Sequence, residues 1–493
     1  MSRDPRDSLE KTDARAALEA AYRHALAFDD ARTTREPNAA ANFDALMRAF
    51  GGPTPEAGSP ADDVIERLVA AAEPGLMGTA GPRFFGWVVG GSHPVGVAAD
   101  WLTSMWGQNA GSYHGAPASA VAEQVAAQWL ADILRLPGEC SVGITSGATM
   151  SNFVCLAAAR GALLRRVGWD VEADGMFGAP PITVYLGDDA HASVFAALRY
   201  LGFGERRVVR IPADAAGRMD VGALGAALAG ANGPLIVIAQ AGHIVTGAFD
   251  AFSEIAALTH ARGGWLHVDG AFGLWARACP SKAWLSEGVE DADSWATDAH
   301  KWLQAPYECG CAFVRDRSAH RRAMSIGASY LPTAADAIRD PLHYAPELSR
   351  RARGFALWAL LRAFGRQGIA QMIERHCALA RRMAARLAAE PGIEVLNEVE
   401  LNQFAVRFGA GDDADDDASA RRDALTRATV ERIQAAGVCY ASGTRWRERE
   451  VMRVSIIAWP TTEEDIDRSA DSMIAAWRET NPHAGRRAAA ASA

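Results

Sequence analysis

Six short runs constrain this chain more than any other feature: ITVYL at 182–186, RVVRI at 207–211, PLIVIAQ at 234–240, WLHVD at 265–269, SWAT at 294–297 and CAFV at 311–314. They are apolar almost from end to end, where a half-exposed strand would alternate. A strand of that kind needs cover on both faces, which is the environment of a parallel sheet between two layers of helices. The intervening segments supply those layers. Residues 119–135, 150–168, 189–202, 220–229 and 252–262 repeat apolar side chains at three- and four-residue steps. The expected class is α/β with a mostly parallel central sheet. Ligands of such sheets bind at the carboxyl ends of the strands, so the residues just after each run are the candidates for chemistry.

The rest of the chain arranges itself around this region. Residues 1–80 read as a helical N-terminal arm, with helical periodicity at 9–28 and 61–73 around the Pro/Gly-rich GGPTPEAGSP at 51–60. Residues 81–344 form the expected large α/β domain. Residues 345–480 read as a smaller α+β domain, with a long helix through RGFALWALLRAF to about Arg386 and β-rich runs near 402–408 and 451–457. The acidic stretch at 409–417 reads as a solvated loop. Residues 481–493 read as a disordered tail.

The net charge of −9 argues against a nucleic-acid or anionic-membrane surface. No apolar run approaches the roughly 20 residues of a membrane span. The charged N-terminus has no signal-peptide core. Seven cysteines suggest no disulfide framework, and the C-x-C of Cys309 and Cys311 has no second pair at zinc spacing. The expectation is a cytoplasmic protein without a structural metal.

Only three lysines occur, Lys11, Lys282 and Lys301, so chemistry that needs a primary amine has three candidates. Lys301 follows SWAT in TDAHKWLQAPYECG. It is either a surface lysine at a strand end or a Schiff-base lysine. Asp269 ends WLHVD. It would pair with an arginine, cap a helix, bind a metal with His267, or hold the N–H of a pyridinium ring. No third metal ligand stands at sensible spacing. Ala271, two residues on, is small enough for a flat ring to approach. GITSGATMSN at 143–152 feeds a helix, which is either ordinary capping or an anion site made of free N–H groups. His191, after ITVYL, is either structural or a platform for an aromatic ring. In chain order these are a phosphate-type loop, a histidine, a strand-end aspartate and a His-Lys pair. That set of parts suits pyridoxal 5′-phosphate (PLP).

From about residue 80 to 475 the chain resembles the group II PLP-dependent amino-acid decarboxylases, the family of aromatic-amino-acid, glutamate and histidine decarboxylases. PRFFGWVVGGSHP, TSGATMSN, DDAHASV, TGAFD, HVDGAFG, DAHKWL and ELSRRARG carry the likeness. The resemblance implies PLP fold type I, like aspartate aminotransferase, and a homodimer with active sites at the subunit interface. It implies that Lys301 forms the internal aldimine, Asp269 pairs with the pyridine nitrogen and His191 stacks on the ring. Ala148 and Thr149 would bind phosphate, His300 would contact phosphate or position the aldimine, and Ala271 would pack on the ring's other face. Trp87 would line the substrate pocket.

Two departures from the family pattern bear on the reaction. Where many relatives read A-G-T-T, this chain has AGHIVTGAFD at 241–250, with His243 and Ile244 in place of the threonines and Thr246 as the expected source of the lost hydroxyl. A loop tyrosine that would protonate the carbanion is replaced by Pro341, which has no proton to give. That leaves Tyr344, His343 or Tyr330 in its role. The expected reaction is decarboxylation of an L-amino acid to its amine and CO2. The alternatives are a PLP-dependent aldehyde synthase or C–C lyase on the same scaffold, or a cofactor-free homologue. Arg353 is either one arginine of a basic patch or an anchor for a carboxylate or hinge. Trp87, Trp101 and Trp106 make an aromatic L-amino acid the first substrate to test, with acidic ones behind it.

Overall fold

A computed structural model describes residues 5–326, 338–409 and 416–481. Its centre is a seven-stranded sheet of β1 (Ser141–Thr145), β2 (Thr183–Gly187), β3 (Val209–Ile211), β4 (Leu235–Gln240), β5 (Trp265–Asp269), β6 (Ser294–Asp298) and β7 (Gly310–Val314), in the order β1-β7-β6-β5-β4-β2-β3. All six expected runs are strands. β1 is an additional one, and the sheet is parallel except for β7, which runs antiparallel to both neighbours. Because β7 reverses twice, β1 points the same way as β6 and its carboxyl end joins the same edge.

The apolar runs divide between two cores. Leu235, Val237 and Ala239 of β4 face one cluster with Leu266, Val268, Leu357 and Leu360. Ile236 and Ile238, the alternate residues, face another with Val154, Leu156, Val184 and Leu186. Both faces are covered, as the unbroken hydrophobicity requires. Each fully buried side chain of this size contributes about 1.5–3 kcal/mol.

The C-terminal part builds a second, four-stranded antiparallel sheet from β8 (Ile393–Val395), β9 (Gln403–Phe408), β10 (Ser442–Trp446) and β11 (Arg449–Ser455), in the order β10-β11-β9-β8. Phe404, Val406, Met452 and Val454 give it its own core with Leu379, Met383 and Trp477. The expected long helix spans Gly354–Ala388, but Gly365, at φ 58°, breaks its helical geometry. Only glycine takes that conformation without a steric penalty. The N-terminal helices Pro5–Asp30, Phe43–Phe50, Ala61–Ala72 and Pro94–Trp106 expose Phe43, Met47, Phe50, Met105 and Trp106. Most of the acidic stretch, all of the terminal tail after Asn481, and Tyr330 lie outside the described residues.

Candidate active site

The carboxyl edge of the sheet gathers the candidate residues. β6 ends at Asp298, and the turn that follows puts the Lys301 amine 2.9 Å from Asp298 Oδ2. The other carboxylate oxygen, Oδ1, accepts the Ala148 N–H at 2.6 Å. Ala148 is the first residue of the helix Ala148–Arg166 that follows β1. One buried carboxylate therefore ties the amine to the start of the phosphate-type loop. His300, also buried, has Nε2 3.5 Å from Asp298 Oδ2, and its Nδ1 accepts the Cys309 N–H at 3.1 Å. Burial holds its imidazole below the ordinary value, so the ring is neutral at neutral pH.

Asp269 ends β5 and is 5 % exposed. Oδ1 accepts the Ala271 N–H at 3.2 Å and Oδ2 an Asn152 amide hydrogen at 3.3 Å. Burial pushes its carboxyl above the ordinary range, against the pull of His191, Lys301 and these two donors. His191 caps the helix Ala192–Tyr200, its Nδ1 facing Ser193 Oγ at 2.8 Å and the Ser193 N–H at 3.3 Å. A cleft is lined by His191, Gln240, Gly242, Ile244, Asp269, Ala271, Phe272 and Lys301. The expected amine, acid, histidine and small residue thus converge on one space, with Thr149 exposed at the adjoining helix start.

These residues fit PLP. An amine and a buried acid with long, weak donors face the same cleft, beside a helix N-terminus. Close backbone packing shapes the surround. A Cβ on Gly90 would sit 2.4 Å from the carbonyl oxygens of both His300 and Lys301, and one on Gly147 would sit 3.3 Å from the His300 ring. Glycine at both positions lets two loops lie against the lysine turn.

Several expected residues sit elsewhere. Thr246 does not line the cleft. Its hydroxyl donates to the Ala216 carbonyl at 2.6 Å and lies 3.2 Å from His243 Nδ1, while Ile244 supplies the cleft wall. The lost hydroxyl is therefore not restored, and this wall is apolar. His243 is buried against Trp446, with Nε2 3.6 Å from Asp189 Oδ2. Trp87 is half exposed, its ring beside Phe84 and Tyr440, although its loop continues through Gly90 to the lysine turn. Tyr344 is buried over His320, with the Arg339 guanidinium 4.6 Å above its ring. It lines a second cleft with Ser141, Arg321 and His343, which shares no residue with that of Lys301. Arg353 pairs with the carboxylate of Glu308 and also donates to the Glu308 carbonyl, and it does not line the Lys301 cleft.

Asp298 and Asn152 were missed by sequence reasoning. Both stand inside quoted motifs, DAHKWL and TSGATMSN, and an acid three residues before the only strand-end lysine was the available signal.

Among known proteins, the conserved-domain model of pyridoxal-dependent decarboxylases matches residues 45–408. Aromatic-L-amino-acid decarboxylase of Bacillus atrophaeus is 28% identical over 430 residues, covering 86% of this chain and 87% of that protein. Tryptophan decarboxylase 1 of Oryza sativa subsp. japonica is 29% identical over 447 residues, covering 85% of each. The crystal structure of Oryza sativa TDC with PLP and tryptamine superposes with a TM-score of 0.87 at 25% identity, over 95% of this chain and 98% of that one.

Proposed function

The chain belongs to the pyridoxal-dependent decarboxylase family, and on that premise we propose roles for the residues of its cleft. It is a PLP-dependent carboxy-lyase of fold type I that converts an L-amino acid to its amine and CO2. Bound PLP supplies an aldehyde for an amine and a ring that accepts the electron pair left when the Cα–carboxylate bond breaks. Lys301 presents its amine to the cleft and would hold the cofactor there until a substrate amine takes its place. Asp269 keeps a proton on the ring nitrogen, so that the ring draws electrons. His191 and Ala271 line the same cleft and would pack against the ring, the small Ala271 leaving it room. The start of the helix Ala148–Arg166, with Thr149 and His300, would receive the phosphate. The observation that carries this reading is the convergence of Lys301, Asp269 and His191 on one cleft.

The finer reading is a cytoplasmic homodimer that acts on an aromatic L-amino acid, with residues 81–344 binding the cofactor and 345–480 forming the smaller domain. The aromatic-amino-acid specificity of the relatives supports the substrate. The exposed apolar side chains of the N-terminal helices support a subunit interface. All seven cysteines are buried free thiols, which suits a reducing compartment. No helix among the described residues is long and apolar enough to cross a membrane.

A second reading, aldehyde synthesis, draws on one observation. The family resemblance puts Pro341 at the loop-tyrosine position, and within one chain neither Tyr344 nor His343 lines the Lys301 cleft. Incubating the enzyme with a panel of L-amino acids, and measuring CO2, amine, aldehyde and peroxide, decides between them. Amine equal to CO2, with aromatic substrates fastest, is the expected result. Aldehyde and peroxide in place of amine would select the second reading.

A further inference from the structure

Behind Asp269, four buried side chains form a single file of hydrogen bonds. Trp265 Nε1 donates to Ser294 Oγ at 2.9 Å. Ser294 Oγ lies 2.9 Å from His267 Nδ1. His267 Nε2 lies 2.9 Å from Asn152 Oδ1, and Asn152 Nδ2 donates to Asp269 Oδ2 at 3.3 Å. Trp265 is 1 % exposed, and Ser294, His267 and Asn152 are fully buried.

The direction of this file follows from its two ends. An indole N–H can only donate, so Ser294 Oγ accepts there and its own hydrogen must go elsewhere. The nearby Cys155 thiol is turned toward the carbonyls of Trp295 and Phe313. The Cys155 sulfur also lies within reach of Ser294, but it is a much weaker acceptor than an imidazole nitrogen, so the Ser294 hydrogen goes to His267 Nδ1. Burial holds His267 down to about 3, so the ring carries one proton, and that proton must sit on Nε2. Nε2–H donates to Asn152 Oδ1, which fixes the amide and aims its NH2 at Asp269. An ionised carboxylate can only accept, so the file ends there without conflict. A protonated Asp269 would still accept from that NH2 through its carbonyl oxygen, but more weakly, so the donor favours the ionised form against the burial that opposes it.

We propose that Trp265, Ser294, His267 and Asn152 are positioning residues that hold the Asp269 carboxylate as an oriented, ionised acceptor for the cofactor's ring nitrogen. The inference rests on Asp269 having that partner. The His-x-Asp spacing in HVDGAFG then has a reason other than metal binding. Residues 267 and 269 share one face of β5, and Asn152 from the neighbouring helix bridges them.

The test compares two ligands on the cofactor-depleted full chain: PLP, and 1-deazapyridoxal 5′-phosphate, whose ring carries C–H in place of nitrogen. Loss of a donor to a charged acceptor is worth about tenfold in binding. Asn152→Leu is expected to weaken PLP by about that factor, and Ser294→Ala by about three- to fivefold. Binding of the deaza analogue stays within about twofold for both. A general packing defect would weaken the two ligands equally, and equal weakening overturns the proposal, as does no weakening of either. Ser294→Ala, the smaller change, decides the matter if Asn152→Leu does not fold. Asp269→Ala serves as the reference. If it leaves the ratio of the two affinities unchanged, the reading of Asp269 itself fails. If it collapses the ratio while Ser294→Ala and Asn152→Leu do not, only the file of positioning residues fails.

Discussion

Lys301 Nζ and Asp298 Oδ2 are 2.9 Å apart, an ion pair within one turn, both side chains largely buried. The same carboxylate accepts the Ala148 N–H, so it stands at the helix start that would otherwise receive the cofactor's phosphate. In the cofactor-free chain Asp298 satisfies a cation and an orphan helix donor together. Asp298→Ala leaves both without that partner. We expect denaturant unfolding of the cofactor-depleted enzyme to show a loss of about 1–3 kcal/mol. Unchanged stability would show that water serves both groups equally well.

Asp269→Ala should act on the chemical step. The carboxylate steadies charge that develops only as the Cα bond breaks, so kcat is expected to fall on the order of 10²–10³-fold with a much smaller change in KM. Steady-state kinetics on the preferred amino acid checks this. A rise in KM at constant kcat would assign Asp269 to binding instead.

Glu123 joins three segments. It is fully buried, receives two hydrogen bonds from Arg350 Nη2 at 2.9 and 3.0 Å, and one from Arg339 at 2.9 Å. Burial pushes its carboxyl up, but the two guanidiniums outweigh that and hold it below the ordinary range. Both arginines also bond carbonyls of β1, those of Ile144 and Val142. Glu123→Gln would leave two buried cations uncompensated, at a cost of about 3–5 kcal/mol. Thermal or chemical unfolding should show it, and a loss under 1 kcal/mol, the range of exposed pairs, would contradict it.

Acid should destabilise the fold through its buried histidines. His267, His320 and His376 are fully buried, and burial holds each down to about 3. Each is neutral in the folded chain but protonates near pH 6.5 when unfolded. Their contribution is complete above pH 6.5 and drains as pH falls from there toward 3, because the unfolded state binds the extra protons. By pH 5.5 each accounts for about 1.4 kcal/mol. Denaturant midpoints at pH 7.5 and 5.5 test the sign. A midpoint that rises on acidification would contradict it.

Much of this architecture is legible in the residues. Unbroken apolar runs such as LIVIA in β4 specify burial on both faces, and their carboxyl ends locate Asp269 and Lys301. β1 was not legible, because SVGIT carries a central glycine and hydroxyl-bearing ends, a weak strand signature. The antiparallel course of β7 depends on register, which no run of side chains encodes by itself. Asp298 and Asn152 are not legible in the sequence because their value lies in what they touch, 150 and 117 residues away. Thr246 was expected in the cleft because a hydroxyl was missing there. The tight turn from His243 to Gly247 instead directs it to Ala216.

The covalent site is the most direct test of the account. Borohydride reduction of the yellow holoenzyme, followed by peptide mass mapping, is expected to place a pyridoxyl group on Lys301 alone and to find none in Lys301→Ala. A label on Lys11 or Lys282, or a chain that neither carries nor takes up a chromophore, would contradict it.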